Sequence, residues 1–152
     1  MRKMKTIQKI LTIALTLTLS TSFAQTDCEK CDIEKVKTVH ENIDNLTFKM
    51  VEDFLCTFDH SCETNIEFSQ WSNEMLYKVL DKEPELTIKV LDQSQLYNFE
   101  ILLDEIENPI HDFDYQNIYE KVSEVKTEND FKQKVLKSIE LAADKEGMTI
   151  KK

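Results

Sequence analysis

The stretch FSQWSNEMLYKVLDKEPELTIKVLDQSQLYNFEILLDEI, residues 68–106, decides the fold, because three helix-length apolar patterns follow one another in it with almost no loop between them. Phe68, Trp71, Met75, Val79 and Leu80 recur at three- and four-residue steps and form one stripe of a first helix, with Asn73, Glu74, Lys78 and Asp81 on its outer side. Pro84 then interrupts. Proline cannot continue a helix but suits the first turn of the next, so a second, short helix starts there and carries Leu86, Ile88, Val90 and Leu91. A third, expected from Asp92 or Ser94, carries Leu96, Phe99, Leu102, Leu103 and Ile106 and stops at Asn108, the residue before Pro109. Helices joined this tightly lie side by side or back to back.

Upstream, Asp32 is the expected cap of a helix whose stripe runs through Ile33, Val36, His40, Ile43, Thr47, Met50 and Phe54. With no Gly or Pro to break it, one helix over 33–57 is favoured over a hairpin folded near Asp44, although Asn42, Asp44 and Asn45 lower helix propensity there. A polar loop is expected over 58–65. Downstream, Tyr115, Ile118, Tyr119, Val122 and Val125 mark a further helix, and Thr127 is the expected cap of the last one, which buries Phe131, Val135, Ile139 and Ala142. Gly147 is placed to stop it in a left-handed conformation.

The expected fold is all-α: a single domain of about six helices, an irregular bundle or a short α-solenoid-like stack, over 32–147. It follows a leader at 1–24 and a flexible segment at 25–31, and precedes a short tail at 148–152. Between 71 and 106 the proline-started helix pair resembles α-solenoid units of the HEAT kind, a likeness of helix length that carries no functional residue with it.

The leader places the chain outside the cytoplasm. Arg2, Lys3, Lys5 and Lys9 precede an apolar run over 10–19, and Ser22 and Ala24 supply the small residues read by a signal peptidase, so cleavage is expected after Ala24. The run is short of the roughly 20 apolar residues a membrane span needs and is diluted by Thr12, Thr16 and Thr18, so no stable anchor is expected. An exported chain, periplasmic or extracellular, is the reading. The whole sequence has 19 Lys and Arg against 29 Asp and Glu; the leader holds four of the basic residues and none of the acidic, which leaves a formal charge of −14 on the remainder. Such a field repels nucleic acid. The single glycine excludes phosphate-cradling loops and the nucleophile elbow of hydrolases.

Four cysteines in an exported chain point to disulfides among Cys28, Cys31, Cys56 and Cys62. One straight helix over 33–57 would span about 37 Å and force local pairing, Cys28 with Cys31 and Cys56 with Cys62. A hairpin would instead bring Cys31 to Cys56 and Cys28 towards Cys62. The spacing Cys28-Glu29-Lys30-Cys31 also matches a thiol-exchange motif, but no strand precedes it as a thioredoxin-like scaffold requires. A zinc reading adds His60 to Cys28, Cys31, Cys56 and Cys62, and oxidation competes for the same sulfurs.

The other polar groups read as structure. Asp59, His60 and Ser61 are neighbours in sequence, whereas a triad is assembled from distant segments. Asp104, Glu105, Glu107, His111, Asp112 and Asp114 crowd the turn around Pro109, but Asp112 and Asp114 lack the glycine and glutamate that complete a calcium loop. His40 is expected as a hydrogen-bonded core residue. Asn45-Leu46-Thr47 fits the glycosylation pattern but falls within the expected first helix. The expected function is a small exported module that works by contact with another protein, without catalysis and without a cofactor; the alternative is thiol-redox or zinc chemistry on the four cysteines.

Overall fold

The computed structural model describes residues 28–152 except 95 and 128, so the leader expected over 1–24 lies outside the described residues. The helices are α1 (Ile33–Glu41), α2 (Phe48–Leu55), a 3-10 helix (His60–Thr64), α3 (Ile66–Lys82), α4 (Pro84–Gln93), α5 (Phe99–Glu107), α6 (Tyr115–Glu124) and α7 (Asp130–Lys145). Among the described residues there is no strand, and no helix is long and apolar enough to cross a membrane. The fold is all-α.

Helix α3 is the axis of the molecule. It meets α1, the 3-10 helix, α4, α5 and α6, while α7 closes the other side against α5 and α6. The stripe of α3 is buried as its spacing requires, with Phe68, Met75, Val79 and Leu80 essentially inaccessible and Trp71 half-buried. Helix α5 sets Phe99, Leu102, Leu103 and Ile106, and α7 sets Val135, Leu136, Ile139 and Ala142, into the same core. Burying one such large side chain is worth about 1.5–3 kcal/mol, more than a helix cap contributes, so these stripes decide which faces turn inward.

Local signals held where they were strongest. Asp32 caps α1 by accepting from the Glu34 N–H, Pro84 opens α4, and Gly147 ends the chain's last helix at φ 74°. Elsewhere the boundaries moved. The helix expected over 33–57 is two helices, because the Asn42 carboxamide donates to Thr38 O (2.8 Å) and closes α1, while Thr47 restarts the chain by accepting from the Met50 N–H (3.3 Å). The even apolar stripe misled because both short helices turn the same residue spacing towards one core. Helix α5 begins at Phe99 rather than near Asp92 or Ser94, since Asn98 is drawn away to bind carbonyls of another segment. Asn129, not Thr127, caps α7 by accepting from the Lys132 N–H; Thr127 supports the turn before it. Within the polar stretch 58–65 the chain forms the 3-10 helix, capped by Asp59.

Candidate functional site

The stapled end of the molecule is built where α2 runs out. Cys56 caps α2 and is joined to Cys28; Cys62, in the 3-10 helix, is joined to Cys31, with Cα atoms 5.8 and 5.5 Å apart. Neither anticipated pairing occurs. A folded-back α1 and α2 does bring the two cysteine pairs together, but the 28–31 segment runs in the same sense as 56–62, so first pairs with first and second with second. The Cys31 N–H donates to Thr57 O (2.8 Å) and Lys30 pairs with Asp59 (2.7 Å), which fixes that sense. Cys31 itself sits at φ 57°, a left-handed conformation that costs a residue with a Cβ about 1–2 kcal/mol and is held here by its bridge and its hydrogen bond. Either bridge alone closes a loop of about thirty residues, worth roughly 3–4 kcal/mol on chain-entropy grounds; because the two loops overlap, the second closes a path of only about ten residues and adds about 3 kcal/mol.

This connectivity bears on the chemistry expected of the cysteines. Cys28 and Cys31 are bridged to different partners, so the motif carries no disulfide of its own. The zinc set is brought to one end, yet as oxidised it offers one imidazole and no thiolate, and His60 is exposed 3.6 Å from Glu63. Among the described residues no three His, Cys, Asp or Glu side chains are grouped to hold a metal ion, the acidic turn around Pro109 included. His40 is exposed, edge-on to Trp71 at 5.6 Å, and is not the buried histidine expected. Asn45 is exposed in the turn between α1 and α2 rather than inside a helix.

Beside the second bridge lies a groove of about 210 Å³. One wall is the 3-10 helix and the start of α3, with Asp59, Glu63 and Ser69; the other is the end of α5 and the turn after it, with Asp104, Glu105, Asn108 and Ile110; Phe58, Phe68 and Cys62 form the floor. Two buried asparagines hold these walls. Asn98 donates to Leu55 O (2.8 Å) and Phe58 O (2.9 Å), pinning the chain between α2 and the 3-10 helix. Asn73 was expected on the outer side of its helix but is fully buried: its carboxamide donates to Glu105 O (3.0 Å) and Glu105 Oε2 (3.1 Å) and accepts from the Ile110 N–H (3.0 Å). A buried amide that satisfies three groups of a turn rigidifies it, since leaving any of them unpaired costs about 1–3 kcal/mol. No motif announces these roles; the one available signal was an asparagine within a turn's reach of an apolar stripe.

Charge in the groove is one-sided. Lys30, by hydrogen bond and charge, together with Ser61 holds the Asp59 carboxyl well below the usual carboxylate range, whereas burial pushes the Glu105 carboxyl up, with Asn73 opposing and Asp104 and Glu63 adding to it. A second, larger cleft of about 390 Å³ lies on the far side of the turn, over Phe113, which stacks on Tyr77 at 4.0 Å. There two of the carboxylates are paired, Lys78 meeting Glu74 at 2.6 Å and Lys121 meeting Asp81 at 2.7 Å, while Asp112 and Asp114 line the same cleft.

The chain matches no protein-family model, no curated protein and no solved structure.

Proposed function

We propose that this is a small exported protein, periplasmic or extracellular, that acts by contact with another protein and performs no catalysis of its own. The supporting observation is the groove beside the Cys31–Cys62 bridge, whose walls are held in advance by that bridge and by Asn73 and Asn98, and whose rim leaves Ile66 67 % and Ile110 46 % exposed. Ile66 lies one turn before the groove residue Ser69 on the same side of α3. Large exposed apolar side chains beside a preorganised recess are how a contact surface avoids ordering costs on binding. Export agrees with the leader pattern and with the two disulfides, which persist in oxidising compartments. Thiol or zinc chemistry would first require a bridge to open.

A photo-crosslinking residue placed in turn at Ile66, at Ile110 and at the exposed Lys89 of α4 tests this in the exporting cell. Discrete adducts from the two groove positions and none from Lys89 are expected. No adduct from either groove position would overturn the contact reading, and complete thiol labelling of the exported protein without reductant would overturn the structural role of the cysteines.

A further inference from the structure

The groove is too small for a drug-sized ligand, which takes roughly 300–1,000 Å³, but about 210 Å³ accommodates one long side chain. Its floor is apolar, with the Phe58 and Phe68 rings edge-to-face at 6.0 Å. Its walls carry Asp59, Glu63, Asp104 and Glu105, and among the described residues no lysine or arginine lines them. Asp59 is neutralised by Lys30 at 2.7 Å, and among the described residues Glu63 pairs only with the exposed His60, at 3.6 Å. Asp104 and Glu105 accept hydrogen bonds from the neutral amides of Asn108 and Asn73. Behind the far wall, the Lys145 ammonium is committed to Glu107 O and Asn108 Oδ1 at 2.8 Å each. Glu63, Asp104 and Glu105 therefore form a half-site: three carboxylates line one recess, with Asp104 and Glu63 acting on Glu105, and no Lys or Arg among the described residues lines it with them.

We propose that this groove receives one arginine or lysine side chain of the partner protein, its aliphatic stem along the exposed Ile110, its cationic head among Glu63, Asp104 and Glu105, and apolar partner residues beside it against Ile66. The inference rests on the contact reading and names the chemistry of the partner. Long cationic side chains bury their stems on apolar surface and keep the head on polar groups, and arginine's planar fork matches paired carboxylates better than an ammonium does. A pocket that takes a single anchor, rimmed by apolar contacts that exclude water, is also how binding energy concentrates in an interface.

Amide NMR of the full, oxidised chain, titrated with two synthetic peptides identical but for a central arginine or its uncharged isostere citrulline, each flanked by leucines, tests the proposal. The arginine peptide is expected to shift the amides of Glu63, Ser69, Glu105 and Ile110 and leave Asn117 in place, and to bind about tenfold or more tightly than the citrulline peptide. That difference is expected to shrink with added salt and in Glu63→Gln and Asp104→Asn, exposed positions whose exchange leaves the core untouched. Equal binding of the two peptides, no shifts with either, or shifts centred on the cleft at His111 would overturn it. Adducts at Ile66 and Ile110 together with equal peptide binding would sink the cationic occupant alone; no adducts and no shifts would sink the contact reading with it.

Discussion

The two ends of this molecule meet the same difficulty by different means. Helix ends leave carbonyls without partners, and short helices bury too little to fix their own orientation. In the N-terminal part, α1 and α2 are nine and eight residues long and are held by two covalent bridges and the reach of Asn98. In the C-terminal part three lysines do the work. Lys121 caps the end of α3 on Asp81 O (3.1 Å), Lys132 caps the end of α6 on Ser123 O (2.6 Å) and Val125 O (2.7 Å), and Lys145 caps the end of α5 on Glu107 O (2.8 Å). A cation at a helix C-terminus gains from the dipole as well as the hydrogen bond. One end is thus locked by oxidation and the other by charge, and the groove lies where they meet.

Breaking the covalent lock should have the largest effect. Replacing Cys31 and Cys62 together by serine, with Cys28–Cys56 kept, is expected to cost about 3 kcal/mol in urea unfolding and to loosen the groove floor, with amide protection lost in α1 and α2 before α7. A uniform loss across both ends would show that the comparison is wrong. Next comes the joint between them: Asn73→Ala strands the Ile110 N–H and Glu105 O and is expected to cost about 2–3 kcal/mol, with exchange broadening over 105–110.

The lysine caps should then separate by burial. Lys132 is 9 % exposed and serves two carbonyls, so Lys132→Met is expected to cost about 1–2 kcal/mol, whereas Lys145→Met at an exposed cap should cost under about 1 kcal/mol, each measured by thermal unfolding. Equal effects would mean that burial does not set the worth of these caps. The smallest effect concerns Glu105. Its carboxyl is raised in the folded protein, so the fold holds that proton more tightly than the unfolded chain does, and its contribution to stability is lost as pH rises from the ordinary glutamate value through the raised one. Glu105→Gln, which can still accept from Asn73, should therefore be neutral or slightly stabilising at pH 7 and should flatten stability against pH just above 4.5; a clear loss at pH 7 would show that the charged form is needed.

What could be read from the sequence was local. Helix class, the proline start at Pro84, the Asp32 cap and the glycine stop at Gly147 each depend on residues within about four positions, where propensity, capping and hydrophobic period act. The break at Asn42 was visible as a weakness but lost to an apolar stripe that two helices happen to share. The candidate site was legible only as a set of cysteines. Its floor, its acidic walls and its asparagine struts come together from distant segments, as the Asn73 and Asn98 bonds show by spanning 32 and 43 residues.

The sequence by itself determined that this chain is a set of amphipathic helices and fixed those of their ends that carry a strong local signal, at Asp32, Pro84 and Gly147, because such choices are settled by side chains within a turn of one another. Tertiary structure alone decided which cysteine meets which, that Asn73 is buried, and that three lysines face another helix's end. Those outcomes depend on the direction in which distant segments pass, and no residue pattern within one segment encodes its neighbour's direction.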